Sequence, residues 1–296
     1  MVSEKAKMRA ITASKWGSSG VLKMDDERLV PMALAGMKDS GKGKLLLRVR
    51  ACSLSPSDYR MLTGDASLIK KPKDGFPYVP GGDVCGVVLE VGKGVDGFKK
   101  GDEVVATWDI FGVGGLAEYA VVDSRFAALK PPAISAAVGA AAANSATHAM
   151  KAVELARVSE GDRVLVLGGS GGVGSCVVQL AKAAGAAFVA ATTTAGPLVA
   201  SLGADRVIDY TQEDWAKLPE FEEAPFDVII DCAVGLAAWQ AAQRSSVLPR
   251  GRFVAVVLKE WRIVVKNPLQ VRASLAAPML PAVQRSSPTC FLFSML

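Results

Sequence analysis

The chain has 296 residues, 50% of them hydrophobic and 21% charged, with a net charge of +5. That composition supplies a sizeable core for about two domains and excludes an intrinsically disordered chain. The charge is spread along the sequence, with no basic stripe interleaved with aromatics, so no nucleic-acid partner is indicated.

The densest basic stretch, Lys70-Lys71-Pro72-Lys73, reads as solvated loop. The five cysteines, Cys52, Cys85, Cys176, Cys232 and Cys290, form no C-x-x-C pair and sit singly in apolar runs. They are expected as buried thiols in a reducing compartment. Residues 1–7 are charged, with no apolar stretch after them, so no secretory leader is expected. The alanine-rich run at 133–143 is too short to span a bilayer. A cytoplasmic location is the expectation, with organelle association left open.

In chain order, residues 8–13 read as a first strand and 45–51 as a stronger one, with loop over 30–44. Residues 72–80 are proline-punctuated loop. Short apolar runs follow at 84–91, 103–107 and 116–122, separated by glycines, which indicates an all-β, barrel-like domain ending near Pro131-Pro132. The rhythm then changes. A helix is predicted over 135–155, and strands alternate with helices thereafter: 163–167, 187–192, 206–208, 227–231 and 252–257, with a sixth strand at 261–265. Such alternation predicts a parallel, doubly wound sheet with a ligand crevice at the carboxyl ends of its strands.

The stretch on which this second half is organised runs from Asp162 to Gly174, an apolar strand leading straight into Gly168-Gly169-Ser170-Gly171-Gly172-Val173-Gly174 and then an apolar helix. Gly169, Gly171 and Gly174 satisfy G-x-G-x-x-G in the strand–turn–helix context that the motif requires. The first glycine is expected to permit the tight turn, the second to let backbone approach a pyrophosphate, and the third to let helix pack on strand. The helix start offers N–H groups and a positive dipole end to phosphates. Gly169, Ser170, Gly171, Gly172, Val173 and Gly174 are therefore the expected cofactor cradle.

An acid about twenty positions beyond the loop would bind a ribose 2′-hydroxyl and favour NAD. The second strand instead ends Thr192-Thr193-Thr194, and no Asp or Glu occurs between Asp162 and Asp205. The missing acid removes repulsion of a 2′-phosphate, and three hydroxyls are available to it, so NADPH is favoured over NADH. Cys232, at the end of a later strand, is expected beside the same pocket.

The chain resembles the medium-chain dehydrogenase/reductase superfamily, and within it the zinc-free quinone oxidoreductase branch. The resemblance is carried by residues 53–58, by Val79-Pro80-Gly81-Gly82-Asp83-Val84-Cys85-Gly86, by 97–104, by 114–119, by the glycine loop, and by 202–210, in the family's order over about residues 8–265. It implies a GroES-like barrel over 1–132, a Rossmann NADP-binding domain over 133–267, and reduction of quinones or carbonyl-conjugated alkenes, with room for a homodimer. Tyr210 matches a family tyrosine that approaches the adenosine phosphate.

Zinc-dependent members carry cysteine where Ser55 stands and His-Glu where Gly82-Asp83 stands, together with a four-cysteine loop absent here. With one histidine in the chain, no metal site is expected. Ser55 stands where the branch has asparagine and is expected to offer one hydrogen bond to an acceptor carbonyl, with Tyr59 on the same turn. Around His148, residue type matches Thr147 to a family threonine near the nicotinamide, whereas spacing matches His148; both stay open, as does a purely structural histidine. Relatives that reduce enoyl thioesters carry tyrosine where Ala66 stands, which disfavours that substrate. A non-catalytic, crystallin-like or inactive nucleotide-binding chain is the competing expectation. Nothing after about Lys266 matches the family's closing helix and strand, so 268–296 is expected to be an atypical or truncated tail, loosely attached and supplying neither element.

Overall fold

The computed structural model describes residues 6–31, 33–65, 72, 75–107, 114–256 and 289–292. Contacts divide the chain into two compact units, 1–144 and 145–296.

In the first unit, β1 (Lys7–Ala13) and β2 (Leu22–Leu29) form an antiparallel pair. β3 (Lys44–Ser53), β4 (Asp83–Val91), β5 (Glu103–Ala106), β6 (Tyr119–Asp123) and β7 (Ala127–Leu129) form an antiparallel sheet in the order β6-β3-β4-β5-β7. Its core is Leu45, Leu47, Val84, Val88, Val104 and Ala106, the inward positions of alternating strands. Between β3 and β4 lies α1 (Pro56–Thr63), with proline in its first turn and Gly64 as a left-handed C-cap at φ 83°.

Helix α2 (Ala136–Ala156) matches the predicted helix to within a residue at each end. In the second unit the elements are β8 (Arg163–Leu167), α3 (Gly172–Ala183), β9 (Phe188–Thr192), α4 (Gly196–Ser201), β10 (Arg206–Ile208), α5 (Pro219–Glu223), β11 (Val228–Asp231), α6 (Leu236–Arg244), β12 (Arg252–Ala255) and β13 (Thr289–Leu292). The six strands form a parallel sheet ordered β10-β9-β8-β11-β12-β13. The central strands carry apolar residues on both faces, as a doubly covered sheet demands: Val164, Leu165, Val166, Leu167, Val228, Ile229 and Ile230 are all fully buried. Each such side chain contributes roughly 1.5–3 kcal/mol by leaving water. Strand order reverses between β8 and β11, so the loops leaving these two strands frame the crevice.

One expectation is corrected, and one lies outside the described residues. β2 occupies residues to which no element was assigned, because its exposed, charged sequence carries no alternation. The sixth strand predicted at 261–265 lies outside the described residues, as do Ala66, Lys70, Lys71, Lys73 and 268–288. A sixth strand does exist, in the tail: Thr289–Leu292 pairs with β12, Arg252 opposite Thr289 through Ala255 opposite Leu292. The expectation that the tail supplies no strand is thus corrected. An unpaired parallel edge is a template for any short β-prone segment, and Cys290-Phe291-Leu292 is one.

Candidate functional site

At the switch point, β8 ends and the chain turns at Gly168, whose φ of 82° is the left-handed value that glycine adopts without strain. This corrects the assignment of the tight turn to Gly169, which keeps ordinary backbone and instead packs on strand β9: a Cβ there would lie 2.8 Å from the Ala191 Cβ. At Gly174 a Cβ would lie 2.1 Å from the Gly168 carbonyl oxygen, so here helix meets turn, as expected. Gly171 differs from both. Its φ is −71°, and a Cβ would have nothing nearer than the Gly168 oxygen at 3.4 Å. The protein itself leaves space beside Gly171.

α3 starts immediately afterwards, and the N–H groups of Gly172, Val173 and Gly174 have no carbonyl within the helix to bond. With Ser170 on the exposed turn before them, they form an anion cradle of the kind that fits a pyrophosphate. The turn is fixed from two sides. The Thr192 hydroxyl accepts the Gly168 N–H at 2.9 Å, and the Thr192 carbonyl accepts the Gly169 N–H at 2.9 Å. On the other side, a Cβ at Gly168 would meet Ala233 at 2.6 Å, in the loop after β11. That loop is held by Asp231, fully buried, whose carboxylate accepts the N–H groups of Ala233 at 2.9 Å, Val234 at 2.8 Å and Gly235 at 2.6 Å. The sequence reading missed Asp231; its one signal was an acid closing an apolar strand.

Of the three threonines, two have structural tasks. Thr193 is buried and its hydroxyl accepts the Ala195 N–H at 2.8 Å. Thr192 holds the glycine turn as described. Only Thr194 is exposed, which narrows the expected triple hydroxyl contact to one surface group. The first acid past the loop, Asp205, is taken up by Lys182 at 3.0 Å and by the Val189 N–H at 2.7 Å. Tyr210 follows β10 and is 59% exposed. Cys232 continues the ladder, its N–H donating to the Leu167 carbonyl at 2.9 Å; burial first, then Asp231, pushes its thiol far up, so it acts as a neutral packing group. His148 is half-buried on α2.

In the first unit, Ser55 caps α1. Its N–H donates to Asp58 Oδ2 at 2.7 Å and its hydroxyl to the same oxygen at 2.9 Å, while Gly81 N–H donates to Asp58 Oδ1 at 3.2 Å. The expectation that Ser55 offers its hydrogen to a substrate therefore meets a competitor: that hydrogen is committed to Asp58. Tyr59 projects from α1, 59% exposed. Beside the cap is a buried titratable group, read in the sequence only as a position that zinc-dependent members fill differently: Asp83, 3% exposed, accepting the Thr107 hydroxyl at 2.7 Å. Burial, and secondarily the Asp58 charge, push Asp83 up to about 6 against the opposing Thr107 bond. Burial with Asp58 and Asp83 likewise lifts the Cys52 thiol to about 12. Among the described residues, no three His, Cys, Asp or Glu side chains converge as a metal-binding group.

A GroES-like β unit followed by a parallel sheet with a glycine cradle at its switch point defines a dehydrogenase-type, dinucleotide-binding architecture. The chain belongs to the medium-chain dehydrogenase/reductase superfamily. Residues 41–132 match the family described as alcohol dehydrogenase GroES-like domain, and 172–274 the family described as zinc-binding dehydrogenase. It is 39% identical over 267 residues to a 2-methylene-furan-3-one reductase of Solanum lycopersicum, covering 86% of this chain and 63% of that protein. It is 38% identical over 234 residues to an NADPH-dependent alkenal/one oxidoreductase, chloroplastic, of Arabidopsis thaliana, covering 76% and 58%. The chain thus spans about three fifths of the length of these curated relatives. The quinone oxidoreductase of Coxiella burnetii shares the fold with a TM-score of 0.74 and 27% identity, over 98% of this chain and 83% of that one. Among the described residues no helix is long and apolar enough to cross a membrane.

Proposed function

We propose that the chain is an NADPH-dependent reductase, working without zinc, that passes hydride to quinones or to alkenes conjugated to a carbonyl. The cradle carries this reading: three N–H groups at the start of α3 with no carbonyl within the helix to bond, open space beside Gly171, and a β9 end without an acid to repel a 2′-phosphate. Gly169 through Gly174 would hold the pyrophosphate, and Thr194 and Tyr210 would lie toward the adenosine end, with Thr192, Thr193 and Cys232 shaping the floor. NADPH, when bound, supplies the hydride. The remaining task is orientation in a dry site, for which residues 1–132 would provide the acceptor side with Ser55 and Tyr59 as candidate polar groups, and His148 on α2 is a further candidate. Residues 133–267 form the nucleotide domain in this reading, and 268–296 are its atypical tail.

Similarity to proteins named as quinone, alkenal/one and furanone reductases supports the acceptor class. At the position of the zinc ligands, Ser55 and Asp83 are instead bonded to Asp58 and Thr107, which supports a Lewis-acid-free site. Unpaired thiols at Cys52, Cys85, Cys176 and Cys232 suit a reducing compartment, cytoplasmic or within an organelle. A homodimer is compatible with this reading.

NADPH consumption with a panel of quinones and enones tests it. Turnover of at least one class, unchanged by a chelator, is expected. Tight NADPH binding without turnover on the whole panel would instead favour the non-catalytic reading.

A further inference from the structure

We propose that the first unit carries, at the end of β4 opposite Asp83, a binding site for a single-chain amphiphile with an anionic head, of the fatty carboxylate class. The site is separate from the nucleotide cradle. A cavity of about 540 Å³ lies there, within the size range of small-molecule sites. Leu34, Leu89, Val91 and Phe98 give it an apolar floor, and Lys93, Lys99 and Lys100 stand around it. β4 begins at Asp83 and ends at Val91, which puts the cavity roughly 26 Å along the strand from that acid.

The floor is recessed. Leu34 is buried and Leu89, Val91 and Phe98 are half-buried, with Val91 and Phe98 packed on the core of Leu45, Leu47 and Val88. The wall is fixed by Glu90, whose carboxylate accepts the Leu34 N–H at 2.8 Å. The lysines are placed by backbone. Lys99 and Lys100 open a turn in which Asp102 N–H donates to the Lys99 carbonyl at 3.1 Å. Gly101 N–H to the Val88 carbonyl at 2.8 Å, and Val88 N–H to the Asp102 carbonyl at 2.9 Å, tie that turn to β4. Lys93 is held by its carbonyl, which accepts the Gly43 N–H at 3.1 Å.

Charge and shape together select the ligand. Lys7, Lys44 and Lys130 of the same unit each pair with a carboxylate, whereas Lys93, Lys99 and Lys100 make no ion pair among the described residues. Three ammonium groups against the single carboxylate of Glu90, itself bonded to backbone, leave a positive surplus over an apolar floor. Lysine stems lie along apolar surface while their heads stay in water, so an anionic head would rest at the rim with its chain on Leu34, Val91 and Phe98. A bilayer surface fits less well. Insertion needs apolar side chains that protrude, and those of this floor are sunk below the lysines.

Calorimetric titration of the full chain with dodecanoate, kept below its micelle concentration, tests the inference. Saturable binding is expected. It should be at least about tenfold tighter than that of hexanoate, which lacks most of the chain, and of dodecanol, which lacks the charge. Affinity should weaken severalfold between about 0.01 and about 0.15 M salt. The double variant Lys99→Glu with Lys100→Glu should lose more than about tenfold with its unfolding midpoint unchanged, since both side chains are exposed. Lys93→Glu gives the same reading if the double variant does not fold. No saturable dodecanoate binding, equal affinity for dodecanol, or charge-reversed variants that bind as wild type would each overturn the inference. So would sedimentation with vesicles of phosphatidylglycerol and phosphatidylcholine by a protein that does not bind dodecanoate, which would assign the lysines to a lipid surface instead.

Discussion

Gly174 stands so close to Gly168 that a Cβ on it would lie 2.1 Å from the Gly168 carbonyl oxygen and 2.8 Å from its carbonyl carbon. Helix α3 can pack against the turn that precedes it only because that side chain is missing. Gly171, three residues away, has no such neighbour. The G-x-G-x-x-G motif therefore divides into a glycine that the fold requires and a glycine that only a ligand would require.

The division is measurable. Gly174→Ala must push backbone apart and should lose roughly 1–3 kcal/mol or more of stability, read as a lowered unfolding midpoint. Gly171→Ala should cost less than about 1 kcal/mol, the scale of a helix-cap change. It should still weaken NADPH binding more than about tenfold, or 1.4 kcal/mol, in a fluorescence titration. A folded Gly171→Ala with unchanged affinity would take the loop out of the site.

Asp83 makes stability depend on pH in a direction opposite to most acids. Its folded value is raised, to about 6 from 3.8, so the folded state holds this proton more tightly than the unfolded state. That contribution is complete below about 3.8 and is lost as pH rises through about 6, a difference of about 3 kcal/mol. Asp123 works the other way, its value depressed first by Arg125 and also by Lys44, so the comparison must be against a variant rather than against raw pH. Asp83→Asn keeps an oxygen for Thr107 and should be more stable than wild type above pH about 6, with the gap closing toward pH about 4. A gap that stays constant over that range would mean Asp83 does not titrate as described.

Much of this was legible in the sequence. The strand–glycine–helix unit was, because buried parallel strands are unbroken apolar runs and their turns need glycine. The zinc positions were, because Ser55 and Gly82-Asp83 are read residue by residue. What was hidden depends on partners distant in sequence. Asp83 and Thr107 meet through strand register 24 residues apart, and Thr192 reaches Gly168 across 24 residues. β2 reads LKMDDERL, mostly exposed on both faces, so it has no core-facing period to detect. The capping pair Ser55 and Asp58 is visible as S-x-x-D, and the same spacing that marks the helix start commits the Ser55 hydroxyl to Asp58.

Strand β13 gives the tail a structural role. Thr289 to Leu292 cover the edge of β12, which would otherwise present a row of unpaired backbone groups. Removing residues 289–296 should lower the unfolding midpoint, by about 2–4 °C for each kcal/mol lost, and raise light scattering on heating. A midpoint and scattering curve unchanged by the deletion would mean that the pairing contributes nothing.

The central claim is hydride transfer from NADPH to an electron-poor acceptor without metal. It is tested most directly with NADPH deuterated, in separate samples, at each of the two transferable positions of the nicotinamide ring, supplied with an enone in the presence of a chelator, and with the product examined by mass spectrometry. The account expects deuterium in the product carbon conjugated to the carbonyl from one of the two samples only, at an undiminished rate. Product without deuterium from either sample, or turnover that the chelator abolishes and zinc restores, would contradict it.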